Sequence, residues 1–396
     1  MNVLGIMSGT SIDSVDYALC SISEKRIELR ELWSVNFPKT LRADLHRAAR
    51  GELNSWAFCQ LHHDLGRFYA KHAAHSVRRA LAKPQLVGLH GQTVFHNPKK
   101  KYPATFQLGE PAYLVEKLRV PVVNNFRAAD LAAGGQGAPL ATLFHQFVFG
   151  EPGKHVCVNN LGGISNVTSI DWKSRARQSP ARRILLATER HPRNDARHPP
   201  KILAFDTGPA NMLIDFAARH FSGGKQHFDK NGAWAAAGSP SEVSLKRWLR
   251  DSYFQQKPPK STGRERFGEP FFNQAIRELR KISRFDLTAT FTEFTARSLV
   301  LNYQLHLPSR PDKIILTGGG ASNPTLVQAI KAQFEVVSSG TKLKIVTSDQ
   351  LGWPVQSIEP AAFAWLAFLR WSGQPGNLPQ TTGAHRAAQC GQISVP

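Results

Sequence analysis

The sequence predicts an α/β protein of two lobes, and three observations carry that prediction. Apolar, strand-like runs alternate with stretches of helical periodicity. Glycine turns follow four of those runs, at Gly9, Gly91, Gly162-Gly163 and Gly318-Gly319-Gly320. The 396 residues exceed the size at which a single core usually stops growing, so two lobes are expected.

The elements follow in order. Val3 to Met7 is apolar, Ser8 to Ser14 is a polar turn, and Val15 to Ile22 is apolar again: strand, loop, strand. Ser55 to about Leu81 is helical, because Phe58, Leu61, Leu65, Phe68, Tyr69 and Ala73 recur every three or four residues. Leu86 to Leu89 is a buried strand running into a turn at His90-Gly91, and Val120 to Asn124 is a short strand before the glycine cluster Gly134 to Pro139. The opening layout then returns, with strand His155 to Asn160, turn Leu161 to Asn166 and strand Val167 to Ile170, a weak internal duplication. Ile202 to Phe205 is a strand ending at Asp206-Thr207-Gly208-Pro209, and a helix carrying Met212, Leu213 and Phe216 comes next. Asp286 to Leu307 is helical, Lys313 to Leu316 is a strand, and Glu359 to Trp371 is a final helix.

Composition narrows the function classes. No apolar run reaches about 18 residues, so no transmembrane helix is expected. Met1 to Met7 reads as a strand rather than a signal peptide. Cys20, Cys59, Cys157 and Cys390 are far apart and form no CxxC pair, which fits a reducing cytosol and a cytoplasmic protein. The net charge of +21 raises nucleic-acid binding as an alternative. However, Asp171 to Lys201 alone holds nine Lys/Arg against three Asp/Glu, with four prolines and no groove-binding motif. That stretch reads as a basic surface insertion, and no nucleic-acid partner is expected.

The glycine turns carry the chemistry. Glycine lets the backbone approach a phosphate closely and aim its N–H groups at it. Hydroxyls at Ser8, Thr10 and Ser11 would add neutral donors to the first turn. The chain has neither a GxxxxGK[ST] loop nor the protein-kinase motif set, so another phosphate-binding scaffold is needed. Asp206, where an apolar strand meets a turn, is the best candidate base, and a capping or turn-pinning role for it stands equally open. Asp13 and Asp16 could hold Mg²⁺, directly or through water, or simply organise the turn. The histidines, including His62, His63, His90 and His96, show no metal-ligand spacing and read as surface or structural.

Eight stretches together resemble the anhydro-N-acetylmuramic acid kinase family: Gly5 to Asp13, Gly88 to Thr93, Arg127 to Leu140, Asn160 to Asn166, Phe205 to Asn211, Lys260 to Glu265, Thr317 to Pro324 and Glu359 to Trp365. They stand in the family's order and span nearly the whole chain. The resemblance implies a two-lobed fold of the actin/hexokinase/Hsp70 type, ribonuclease-H-like, with ATP in the interlobe cleft. The lobes would comprise 1–133 plus about 360–396, and 134–359 with the basic insertion inside it. The substrate implied is 1,6-anhydro-N-acetylmuramic acid, with water as co-substrate and ATP and Mg²⁺ as cofactors. Asp206 matches the general base that activates water at C1 while O6 takes the γ-phosphoryl group, giving N-acetylmuramic acid 6-phosphate in peptidoglycan recycling. Gly9, Thr10, Ser11, Ile12, Asp13, Ser14, Val15 and Asp16 match the ATP-phosphate segment, joined by Gly162, Gly163 and, on the adenosine side, Gly318, Gly319 and Gly320. Arg127, Asp130 and Glu359 fall at sugar-side positions, with Arg127 suited to the lactyl carboxylate and Asp13 to Mg²⁺. A homodimer is the expected assembly. Ser14 and Ala210 stand where the family usually has glycine, and the basic insertion is longer than usual; none of these removes an expected catalytic group.

Overall fold

The computed structural model describes residues 1–9, 12–77, 83–98, 101–173, 199–337 and 343–396. It contains twelve strands among these residues. They are β1 (Asn2–Ser8), β2 (Ser14–Ile22), β3 (Ile27–Asn36), β4 (Leu86–Asn97), β5 (Ala104–Leu108), β6 (Val122–Asn124), β7 (His155–Leu161), β8 (Ile164–Asp171), β9 (Lys201–Pro209), β10 (Lys313–Thr317), β11 (Lys344–Thr347) and β12 (Gln392–Ser394). The chain divides into two compact units, Met1–Val148 with Gln356–Pro396, and Phe149–Val355.

The first unit holds a seven-stranded sheet in the order β12-β6-β4-β1-β2-β3, with β5 attached to β4. β1, β2 and β3 are antiparallel neighbours, whereas β4 joins β1 in parallel and β6 joins β4 in parallel. The second unit holds five strands in the order β11-β10-β7-β8-β9. There too the first three strands are antiparallel neighbours, and β10 and β11 add in parallel beyond the first. Setting β5 aside, both units therefore place the third, second and first strands in antiparallel order and then two parallel strands beyond the first, the ribonuclease-H-like arrangement. The duplication that was faint in residue identity is plain in topology, because a sheet needs only the period-two apolar pattern to recur.

The sequence reading placed residues 134–148 and 356–359 with the second lobe, whereas the structure groups them with the first unit. Phe147 stacks on Trp365 at 4.1 Å, and Asp130 accepts from the Gly137 N–H, so tertiary contacts hold the 134–148 stretch to the first unit. The long helix of the first unit runs Ser55–Val77, and positions 78–81 of its expected end lie outside the described residues. The basic insertion lies almost wholly outside them too. Its flanks, Asp171 and Lys201, are partners across β8 and β9, so it connects the two strands of a hairpin.

Two expected strand ends are strand interiors. β4 continues through His90 and Gly91 to Asn97, and β9 continues through Asp206 to Pro209. Each continuation is bridged by a bulge. Ile6 pairs Leu89 while Met7 pairs Gly91, leaving His90 as the extra residue. Asn166 pairs Asp206 while Ser165 pairs Gly208, leaving Thr207 as the extra residue. A bulge bends the strand and re-aims its side chains without ending it, which turn residues in the sequence cannot distinguish from a stop.

The last long helix, Ile358–Trp371, lies directly on the first sheet. Gly5 and Gly88 are neighbours across β1 and β4, and both are glycine for a steric reason. A Cβ on Gly5 would stand 1.8 Å from the Pro360 carbonyl oxygen, and one on Gly88 2.2 Å from that of Phe363. Gly5→Ala is expected to cost about 1–3 kcal/mol by forcing the helix off the sheet. Urea unfolding of the variant should show the lowered midpoint.

Candidate active site

The first hairpin carries one set of expected site residues. Its loop is pinned from below: the buried Gln92 side chain donates to the Gly9 carbonyl at 3.1 Å, and the Ile12 N–H donates to the same carbonyl at 3.2 Å. Ile12 takes the left-handed conformation, φ 58°, with its side chain 4% exposed, so burial holds a backbone shape that a β-branched residue otherwise avoids. Thr10 and Ser11 lie outside the described residues. Ser8 is not an outward donor as the sequence suggested. Its hydroxyl points inward, donating to the Gly91 carbonyl at 3.3 Å and meeting Tyr69 Oη at 3.2 Å. Asp13 pairs with Arg42 at the surface. Asp16 accepts from the Ser34 hydroxyl, and burial raises its carboxyl against that bond.

Arg127 ends the loop after β6, just before the short helix Ala128–Ala132. Its Nε and Nη2 point at His90 Nε2, at 3.2 and 3.0 Å, and its Nη1 donates to the Gly137 carbonyl at 2.7 Å. Burial pulls its pKa down to about 10, against the charges of Glu359 and Asp130, so it stays cationic. Glu359 opens the Ile358–Trp371 helix, where an acid is favoured by the helix dipole. Its carboxyl is raised by desolvation and by the nearby Asp16 charge, and lowered by Arg127. Asp16, Glu359 and Arg127 thus form one electrostatically linked group.

Asp130 is placed differently from its expected sugar-side role. It is fully buried and spent on internal donors: the Gly137 N–H at 2.7 Å, Asn377 Nδ2 at 2.6 Å and the Thr382 hydroxyl at 2.7 Å. Even a methyl on Gly135 would stand 2.2 Å from its Oδ2.

The second unit gathers its groups at the carboxyl ends of β7 and β10, where strand order reverses from β7-β8-β9 to β10-β11. In open α/β sheets that position is where ligands bind. The Gly162 and Gly163 carbonyls accept from the N–H groups of Ala210, Asn211 and Met212 at 2.9–3.2 Å, docking the β7–β8 turn on the start of the helix Asn211–Phe221. Gly318 has φ 76°, and a Cβ there would stand 2.1 Å from Asn160 Oδ1. Gly320 is packed on Leu161, whereas a Cβ on Gly319 would meet only Asn211 Nδ2, at 3.6 Å. Asn211, which the sequence reading left unassigned, ties the two turns by donating to the Leu161 carbonyl at 2.9 Å.

Asp206 does not cap the helix that follows, whose N-cap is Ala210 without a side-chain bond. Instead the loop around Lys260 clasps it. Its Oδ2 accepts from the Thr262 N–H at 2.9 Å, its N–H donates to the Lys260 carbonyl at 3.2 Å, and its carbonyl accepts from the Tyr253 hydroxyl at 2.6 Å. Lys260 Nζ donates to the carbonyls of Tyr253 and Phe254, at 3.1 and 3.2 Å, with the Tyr253 ring 4.6 Å away. Desolvation raises the Asp206 carboxyl to about 6, aided by Glu265 and opposed by the Thr262 N–H and Lys260. Desolvation lowers Lys260 to about 8, against the attraction of Asp206. Behind the strand, Thr207, Ser165, Asn159 and Tyr303 form a buried hydrogen-bonded chain, and Asn302 Nδ2 donates to the Thr207 carbonyl at 2.8 Å. The carboxylate is therefore rigidly held, its Oδ1 has no hydrogen-bond partner among the described residues, and its pKa suits proton transfer near neutral pH.

Comparison with known proteins identifies the chain. The family model described as anhydro-N-acetylmuramic acid kinase matches residues 1–177 and 197–396, skipping the middle of the basic insertion. An anhydro-N-acetylmuramic acid kinase of a Picosynechococcus species is 37% identical over 404 residues, covering all of both chains. That of Microcystis aeruginosa is 38% identical over 402 residues, covering 99% of this chain and all of its own. Among solved structures, a ROK family glucokinase from Streptomyces griseus, in complex with glucose and AMPPNP, aligns with a TM-score of 0.38 at 13% identity, over 93% of this chain and 99% of its own. No helix among the described residues is long and apolar enough to cross a membrane. The chain is a kinase and belongs to the anhydro-N-acetylmuramic acid kinase family.

Proposed function

We propose that this kinase opens 1,6-anhydro-N-acetylmuramic acid with water and phosphorylates O6 from ATP, in the cytoplasm and as a homodimer. Asp206 carries the reading, being a desolvated carboxylate with one oxygen fixed by the Thr262 N–H and the other unspent. Asp206 takes a proton from water. The water oxygen bonds to C1, the C1–O6 bond breaks, and O6 takes the γ-phosphoryl group. The products are N-acetylmuramic acid 6-phosphate and ADP. Positioning supplies much of the rate in such a transfer.

The phosphates are assigned to the Gly9–Asp16 turn and to Gly162-Gly163, and the adenosine side to Gly318-Gly319-Gly320. Arg127 receives the lactyl carboxylate. Two of its five N–H groups are committed to His90 and one to the Gly137 carbonyl, leaving two for a bidentate contact. Glu359 lies on the same side of the first unit's chemistry through its interaction with Arg127. Among the described residues no group of three or more His, Cys, Asp or Glu could hold a metal. Mg²⁺ in phosphoryl transfer commonly needs only one or two carboxylates beside phosphate and water, and Asp13, exposed and facing Arg42, fits that lighter role. Bound there, Mg²⁺ would offset charge on the phosphates.

Product analysis in ¹⁸O-water tests the reading. The label is expected on the C1 hydroxyl, with phosphate on O6; label in the phosphate, or no 6-phosphorylated sugar, would reject it.

A further inference from the structure

His90 is the extra residue of the bulge between β1 and β4. It is 4% exposed, and its ring packs 4.4 Å from that of Phe363. Two contacts define its protonation. Nδ1 lies 2.8 Å from the Gly91 carbonyl oxygen, which can only accept, so Nδ1 carries the proton. Nε2 then has a lone pair, and it faces Arg127 Nε and Nη2, which can only donate. Each bond requires the other, and a proton on Nε2 would set one cation against another.

The consequence falls on Arg127. One edge of its guanidinium is spent on His90 and one Nη1 hydrogen on Gly137, so the plane of the group and the direction of the two remaining N–H groups are fixed. No carboxylate lies within ion-pair distance of Arg127 among the described residues, so a neutral imidazole does the orienting and no direct ion pair occupies the guanidinium, although the Glu359 and Asp130 charges act on it from farther off. An aspartate or glutamate in place of His90 would orient the group equally well but neutralise it.

We infer that His90 is a positioning residue for carboxylate recognition: the bulge aims its Nε2 at Arg127, which presents an oriented guanidinium, without a direct ion pair among the described residues, to the lactyl carboxylate of the sugar. The inference rests on the assignment of Arg127 to that carboxylate. The bulge explains why the sequence did not reveal it, since a lone histidine inside a buried strand carries no ligand spacing.

The test compares two substrates, 1,6-anhydro-N-acetylmuramic acid and the same anhydro sugar without its lactyl group. His90→Phe keeps the ring and removes the acceptor. It is expected to raise KM for the lactyl-bearing sugar about 10- to 100-fold, to leave KM for ATP and kcat within about twofold, and to leave the lactyl-free sugar unaffected. His90→Gln, whose Oε1 can reach the Nε2 position, is expected to restore most of the loss. Equal effects on both sugars, or no effect on either, would overturn the inference. Arg127→Ala separates the two levels. If it loses discrimination while His90→Phe keeps it, only the role of His90 fails; if it keeps discrimination, the assignment of Arg127 fails and the inference with it. Should His90→Phe not fold, ¹⁵N spectra of the wild-type imidazole decide: a proton on Nδ1 with an unprotonated Nε2 supports the inference, and a proton on Nε2 overturns it.

Discussion

Asp206→Asn is expected to fold, to retain nucleotide and to lose about 10²–10⁴-fold in kcat, the usual worth of a positioned general base. The substitution keeps the oxygen that accepts from the Thr262 N–H and removes only the capacity to take a proton, so the clasp around it should survive. Isothermal titration with an ATP analogue and steady-state kinetics separate the two effects. A kcat close to that of the native enzyme would refute the base assignment. The wild-type pH profile gives a second reading of the same residue. As the proposed base, Asp206 would have to be ionised to act, and desolvation lifts its pKa to about 6, so kcat/KM should fall as pH drops through about 6 and level off above it. The variant should lack that limb. Stability runs the opposite way. The folded state holds this proton more tightly than the unfolded chain, so the contribution to folding is present at low pH and declines as pH rises from about 4 through 6. Ionising this buried carboxylate thus costs the fold some stability.

Asp130→Ala should destabilise the first unit by about 3–5 kcal/mol. It strands three buried donors at once: the Gly137 N–H, the Asn377 amide and the Thr382 hydroxyl. The last two belong to the C-terminal segment, so the carboxylate fastens that segment to the glycine loop. The loss should appear as a lower urea midpoint for the transition that includes residues 1–148. Because the Gly137 carbonyl also accepts from Arg127, KM for the sugar should rise as well. Unchanged stability with a raised sugar KM would instead return Asp130 to the direct contact that the sequence resemblance implied.

The legible part of this protein was local. The β1–β2 and β7–β8 hairpins, the helices Ser55–Val77, Asn211–Phe221, Arg284–His306 and Ile358–Trp371, and the glycine turns are all written in patterns spanning a few residues. Period-two and 3.6-residue apolar repeats and turn glycines act over that range. They also singled out Asp206, whereas Arg127 stood out only through the family resemblance. What they could not show was the two bulges, because a bulge is a mismatch between strands rather than a feature of either one. Hence His90 looked like a turn residue and Asp206 like a strand terminus.

The sequence by itself determined an α/β chain of two similar units with phosphate-type turns and the motif set of its family. Tertiary structure alone decided what each polar residue touches. Asp206 owes its raised pKa to desolvation on folding, opposed by the Thr262 N–H and Lys260 more than 50 residues along the chain, and Asp130 is satisfied by donors 247 and 252 residues away. Propensity and patterning are summed over neighbours in sequence, whereas desolvation and hydrogen-bond satisfaction are set by neighbours in space, which only the folded chain assembles.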